Sequence, residues 1–406
     1  MSTTRRAFIG ATAASAAHVW IPTSVKGYTP AEIVPVTPMK AGISKWDLDT
    51  PALCVDLSKM ERNIAKMQSR VTANKLAVRP HAKTHKCAAI AKLQMAAGAI
   101  GICTAKLSEA EALFAGGIDR ILMTTSNLSR DKIRRAMLLR KRAPNFIQAV
   151  DYDVNARDLN DAAKQAGIVA DVVIDVAVGT RSGIPAGEDA LALARLVDTL
   201  PNLKLRGLLS YDGGAQHVNG FAARKERALK NIDENARTRE KMNQSGLDTG
   251  IFSGGGTGTY SMQHLVPGFS DVQVGSYLFM DMQYLAIGGE EGPVYADFEP
   301  SLTVLATIVN NRFPGRLTTD AGAKALTLNV PRAGVIGEPG MDYNAGSDEF
   351  GSITFKEANK TYRMGDKIEL IAPHCDPVVN LYDFIYAIRN DRVEAVWPIT
   401  ARGHSQ

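Results

Sequence analysis

From about residue 76 to residue 277 the chain alternates short β-branched runs with stretches of helical period, and that alternation leaves few folds open. Strands are expected at 76–81, 100–104, 120–124, 147–150, 171–178, 203–211, 249–253 and 272–277, with amphipathic helices over 84–97, 108–116, 129–142, 154–167, 188–200 and 221–245. Glycines close several of these helices (Gly98, Gly117, Gly167, Gly246), where a left-handed residue ends a helix most cheaply. Strands joined through helices must run parallel. Eight such units favour an α/β fold with a closed (β/α)8 barrel of the TIM type over an open doubly wound sheet. In a barrel of this kind the chemistry gathers at the C-terminal ends of the strands. Lys83 then falls just past the first strand, Arg181 past the fifth, Tyr211 at the end of the sixth and a glycine run after the seventh.

Past about residue 297 the pattern changes to strand-like runs at 304–310, 317–319, 352–355, 367–372, 384–389 and 393–399, separated by turn signals such as Asn310-Asn311 and Pro314-Gly315. The expected organisation is a barrel over 43–296 and a β-rich domain over 297–406, with 43–55 a candidate extra strand for the latter. Ahead of them, Arg5-Arg6 followed by a short, weakly apolar, alanine-rich stretch has the form of a twin-arginine signal peptide, with Ala14-Ser15-Ala16 as a cleavage site and a linker to Gly42. A periplasmic location follows as an expectation, cytoplasmic if the signal is not used. No later segment is apolar for long enough to span a bilayer, so no membrane association is expected of the mature form.

The formal net charge of +5 is spread without a dense basic block, which argues against nucleic acid and for a small anionic ligand. Four cysteines are too few for a disulfide framework and lack zinc spacing, so they read as buried thiols.

Three motifs carry chemistry. Arg79-Pro80-His81-Ala82-Lys83-Thr84-His85-Lys86 places a lysine among cations, which would depress its pKa and free the amine to form a Schiff base; a solvated basic turn is the plain alternative. Ser253-Gly254-Gly255-Gly256-Thr257-Gly258-Thr259 offers closely spaced amides and hydroxyls for a phosphate dianion, or is merely a tight loop. A cofactor with both an aldehyde and a phosphate is pyridoxal 5'-phosphate. In Pro373-His374-Cys375-Asp376-Pro377, a histidine and a carboxylate two residues apart could share one divalent ion, with Cys375 turned away; alone, such a pair is common.

Taken together, from about Thr50 to about Trp397, the chain resembles the D-threonine aldolase and D-serine dehydratase group of fold-type III pyridoxal-phosphate enzymes, related to alanine racemase. The motif around Lys83, Gly254-Gly255-Gly256-Thr257, Gly275-Ser276-Tyr277, Asp320-Ala321-Gly322-Ala323-Lys324 and His374-Cys375-Asp376 occur in the family order. The resemblance implies that Lys83 carries the cofactor and that the glycine run, Gly275, Ser276 and Tyr277 hold its phosphate. It also implies Arg181 and Tyr211 beside the ring, and a divalent cation on His374 and Asp376. Eukaryotic D-serine dehydratases tend to carry a thiol at the second ligand position, selecting zinc. Asp376 stands there as in the aldolases, which favours Mn²⁺ or Mg²⁺ with Zn²⁺ possible. The implied activity is retro-aldol cleavage of a D-β-hydroxy-α-amino acid, D-threonine-like, to glycine and an aldehyde, with His85 or a metal-bound hydroxide taking the hydroxyl proton. The alternatives are a D-serine or D-threo-3-hydroxyaspartate dehydratase on the same scaffold, and a non-catalytic cofactor-binding protein. A homodimer is the family expectation.

Overall fold

The computed structural model describes residues 38–406, so the signal segment and most of the linker expected over 1–42 lie outside the described residues. The chain enters through strand β1 (Ala52–Asp56) and helix α1 (Leu57–Ala73), whose first turn is capped by the Asp56 carboxylate accepting the Lys59 N–H at 3.0 Å. Leu57, Met60, Ile64, Met67 and Val71 recur at helical spacing and are all buried. Next come β2 (Ala77–Val78), α2 (Ala88–Ala96), β3 (Ile102–Thr104), α3 (Leu107–Ala115), β4 (Ile121–Met123), α4 (Arg130–Arg142), β5 (Ile147–Val150) and α5 (Asp153–Ala166). After them follow β6 (Ala170–Asp175), α6 (Glu188–Thr199), β7 (Leu203–Ser210), α7 (Phe221–Gln244), β8 (Ile251–Gly254) and β9 (Asp271–Val272).

Strands β2 to β9 form one parallel sheet in the order β2-β9-β8-β7-β6-β5-β4-β3, and a parallel bridge between His81 and Cys103 joins its two edges. That is the expected (β/α)8 barrel. Cys103, Leu122, Ala149, Val173 and Leu209, one from each of five neighbouring strands, pack together as a separate buried layer, while their chain neighbours pack against the helices.

The first and last barrel strands are shorter than expected, and both shortfalls lie at motifs. β2 gives way at Pro80 to a 3-10 turn at Ala82–Thr84, with Lys86 in the left-handed region (φ 50°), so the helix expected from residue 84 starts only at Ala88. β9 ends before Gly275, where a second 3-10 turn covers Ser276–Leu278. Between β8 and β9 the crossover carries only a 3-10 turn, Gln263–Leu265, and is otherwise the glycine-rich loop.

A nine-stranded second sheet follows, made of β10 (Leu302–Asn310), β11 (Arg316–Thr319), β12 (Gly334–Val335), β13 (Asp342–Asn344), β14 (Gly351–Thr354), β15 (Lys367–Ile371), β16 (Phe384–Arg389), β17 (Arg392–Pro398) and β1. β1 lies inside it, antiparallel to β10 and parallel to β16, so the segment at 43–55 does lend its end to this sheet. One continuous apolar core runs from the barrel into it. All four cysteines are buried and unpaired.

Candidate active site

The C-terminal mouth of the barrel holds a cavity of about 390 Å³ lined by residues from seven strand ends, among them His81, Lys83, Thr124, Asp175, Arg181, Tyr211, Gly256, Thr257, Gln273, Gly275 and Ser276. Lys83 sits on the 3-10 turn after β2, with its N–H donated to His81 Nδ1 at 3.3 Å. Its ammonium is ion-paired with Asp376. The depressed lysine pKa expected from the neighbouring cations is not found: Asp376 outweighs burial and raises it. The cations next to Lys83 in sequence are spoken for elsewhere, Arg79 by Asp271 at 2.9 Å and Lys86 by Asn380 at 3.0 Å. Burial opposes ionisation of Asp376, but Lys83 and His374 prevail and hold the carboxyl below the usual carboxylate range.

His374 caps the short helix Cys375–Val379, and its Nδ1 meets Asp281 Oδ2 at 2.9 Å. The same oxygen accepts the Cys375 N–H at 2.9 Å, and Asp281 Oδ1 accepts the Tyr284 N–H at 2.9 Å. Asp281 is wholly buried and fully engaged, so its part is to fix the His374 ring with Nε2 left over. Burial works against protonation of His374, yet Asp281 and Asp376 raise its pKa. Asp281, His374 and Cys375 bring donor atoms within 4.8 Å of one another. With Asp281 already spent and burial pushing the Cys375 thiol well up, His374 Nε2 and the nearby Asp376 carboxylate are the groups that could hold a cation.

The phosphate-type loop divides by position. Gly256 and Thr257 line the cavity, whereas Gly254 and Gly255 do not; a Cβ on Gly254 would drive into the Ser210 carbonyl, and Gly255 turns the chain at φ 63°. Gly275 and Ser276, past the end of the neighbouring strand β9, line the cavity beside the loop, and a side chain on Gly275 would collide with Thr84 Oγ1. Among the described residues the amides of Thr257, Gly275 and Ser276 find no protein acceptor. Unpaired groups of this kind are costly unless something binds them. Arg181 stacks over the Tyr211 ring at 5.2 Å on another wall.

Two expected site residues are placed elsewhere. His85 is buried with both ring nitrogens used: Nδ1 accepts the Cys87 N–H at 3.1 Å and Nε2 meets Gln94 Oε1 at 3.2 Å. Burial pushes its pKa down to about 4. Gln94 in turn donates to the Tyr277 hydroxyl at 3.0 Å, so the phenol points into the core and away from any phosphate. Tyr277 serves the loop through its backbone, donating N–H to Thr257 Oγ1 at 2.9 Å. Both residues form a buried relay behind the site and do not line it.

The structure adds residues that sequence alone did not single out. Besides Asp281, the ring of His217 packs 4.6 Å from that of Tyr284, close enough to Asp281, His374, Lys83 and Asp376 for all four charges to act on it, and burial lowers its pKa. His81 lines the cavity, with its pKa pushed down to about 3 by burial and by Lys83. Asp175, at the end of β6, is raised to about 7, by burial first and the neighbouring Asp151 second.

A lysine at the mouth of a (β/α)8 barrel, beside a cradle of free amides, is the arrangement that a pyridoxal-phosphate enzyme requires. Residues 55–283 match the family model of the alanine racemase N-terminal domain, and residues 301–388 that of a putative serine dehydratase domain. The chain belongs to this alanine racemase-like family and, within it, to the D-threonine aldolase and D-serine dehydratase group; it is a lyase. A 3-hydroxy-D-aspartate aldolase of Paracoccus denitrificans (strain Pd 1222) is 33% identical over 94% of this chain and 98% of its own. A D-threonine aldolase of an Arthrobacter species is 35% identical over 91% and 97%. The crystal structure of D-threonine aldolase from Filomicrobium marinum superimposes with a TM-score of 0.87 at 35% identity, covering 91% of this chain and all of that one.

Proposed function

We propose that this protein cleaves D-β-hydroxy-α-amino acids to glycine and an aldehyde, with pyridoxal phosphate on Lys83 and a divalent cation, Mn²⁺ or Mg²⁺ ahead of Zn²⁺, on His374 and Asp376. The observation that carries the reading is the contact between Lys83 and Asp376, which sets the cation ligands beside the cofactor lysine although 293 positions separate them. Pyridoxal phosphate supplies an electron sink for the pair left on Cα when the Cα–Cβ bond breaks. A cation at His374 and Asp376 would acidify a substrate hydroxyl and replace the charge by which Lys83 now balances Asp376.

The protein's own groups then have separate tasks. The free amides of Thr257, Gly275 and Ser276 bind the phosphate. Arg181, stacked on Tyr211, offers its donors to an anionic oxygen of cofactor or substrate. Asp281 orients His374. The proton of the β-hydroxyl needs a neutral base, and His217, whose ring lies 4.6 Å from that of the cavity-lining Tyr284, is placed for it where the engaged His85 is not.

The family model over residues 301–388 favours a second reading, elimination of the hydroxyl from the same substrates. A product assay over D-threonine, D-phenylserine and D-3-hydroxyaspartate decides between them. Glycine with an aldehyde, lost on chelation with EDTA, is the expected result. Ammonia with a 2-oxo acid establishes the dehydratase, and a cofactor-loaded protein inert towards all three refutes an enzyme of this class. Export through the paired arginines and a homodimeric state belong to the same proposal, to be read by cell fractionation and light scattering.

A further inference from the structure

Arg224, the fourth residue of α7, is a wholly buried arginine whose hydrogen bonds all go to backbone carbonyls. Its Nε donates to Gly258 O at 2.9 Å, Nη1 to Val218 O at 2.9 Å and Ile287 O at 3.0 Å, and Nη2 to Gly288 O at 2.8 Å. Among the described residues no carboxylate lies within ion-pair distance of it. The nearest acidic influence, Asp297, is held by Arg70 at 3.2 Å and by the Tyr260 hydroxyl at 2.7 Å. The guanidinium faces the ring of Tyr295 at 5.5 Å, and the Tyr295 hydroxyl donates to Thr257 O at 2.6 Å. Two consecutive carbonyls of the glycine loop, those of Thr257 and Gly258, are thus gripped from behind by this pair, while the Thr257 amide stays free at the cavity.

Burying a cation without a counter-ion is expensive, and a structural clamp of four carbonyls could be built from neutral donors. The cost is offset if an anion completes the charge balance when it binds nearby. We infer that Arg224 is a positioning residue for the phosphate site: it holds the Thr257-Gly258 segment with its carbonyls turned back, and its uncompensated charge behind the loop selects a dianionic phosphate over an uncharged group. The inference rests on pyridoxal phosphate being the resident cofactor and deepens that reading by assigning the charge that recognises the phosphate.

The test compares pyridoxal 5'-phosphate with pyridoxal, which lacks the phosphate, as ligands of the full-length protein stripped of cofactor and titrated by absorbance. The readout is the dissociation constant for pyridoxal divided by that for pyridoxal 5'-phosphate, the preference for the phosphate. In Arg224→Met, which keeps bulk without charge, the ratio is expected to fall about tenfold or more, as for a unit charge acting on a dianion in a partly desolvated site. Loss of both affinities in equal measure, or of neither, overturns the inference. If Arg224→Met does not fold, Arg224→Gln is compared with Arg224→Lys. A ratio at least about tenfold lower in the neutral variant supports the charge, and equal ratios overturn it. A wild-type protein that binds neither compound overturns the cofactor reading itself.

Discussion

Asp175→Asn isolates the cost of the one cavity carboxyl whose pKa is raised to about 7 from the usual 3.8. In the unfolded chain this group loses its proton near pH 3.8, while in the fold it keeps it to about pH 7. Between those values the native state holds the extra proton, so stability falls as pH rises and levels off above pH 7. The gap corresponds to about 4 kcal/mol in total, of which about 3 kcal/mol accrues between pH 5 and pH 8. The variant removes that penalty and keeps the shape. Urea unfolding of both full-length proteins, stripped of cofactor so that its release does not contribute, should show the variant gaining about 3 kcal/mol on wild type from pH 5 to pH 8. A gap that stays flat within about 0.5 kcal/mol across that range refutes the assignment, and a gap that moves in favour of wild type means that Arg181 holds Asp175 ionised. The same titration bears on function: with Asp175 neutral, Arg181 keeps its donors for an anionic ligand, whereas above pH 7 the carboxylate competes for them.

Replacing His217 with Gln should leave the absorbance of the bound cofactor intact while lowering cleavage roughly 10²- to 10⁴-fold, the usual span for a lost general base; unchanged turnover would move that role to another group. Asp281→Asn, which weakens the acceptor fixing His374, is expected to raise the Mn²⁺ concentration needed for half-maximal activity about 10- to 100-fold, and an unshifted curve would show that His374 needs no such support. In Gly256→Ala the new Cβ would lie 2.6 Å from Gln216 Oε1, which accepts the Gly258 N–H at 3.0 Å. Overpacking there should cost about 1–3 kcal/mol and weaken pyridoxal-phosphate binding more than pyridoxal binding; equal effects on the two ligands would place the loop outside the phosphate site.

The barrel was legible because period and length both speak for it, and Lys83 because strand ends of such a barrel are where side chains meet. What failed was the step from nearness in sequence to a shared face. The resemblance set His85, two residues along the motif, beside Lys83 as the acceptor of the hydroxyl proton. The 3-10 turn at Ala82–Thr84 instead carries His85 into the core, where Gln94 and the Cys87 N–H take up its ring nitrogens. Tyr277 is lost to the cavity in the same manner, one step along the turn Ser276–Leu278 from the cavity-lining Ser276. The lysine environment misled for a further reason. Its neighbours in sequence are cations, but its partner in space is a carboxylate from the second domain. Asp281 and His217 carry no local signal, because each gains its meaning from segments that only the closed fold brings together.

The threading of β1 through the second sheet bears on how this molecule is made. As ribosomal synthesis proceeds, Ala52–Asp56 emerges among the first described residues, yet one of its ladder partners, β16, is among the last strands to appear. The sheet therefore has a high contact order, and its completion waits on the whole polypeptide. The barrel can mature during translation, while the platform that delivers His374 and Asp376 forms only when the two ends of the chain meet. Residues 297–406 expressed alone would lack a central strand, and a nascent chain cut short before β16 would lack two of the nine strands, leaving β1 open on one edge.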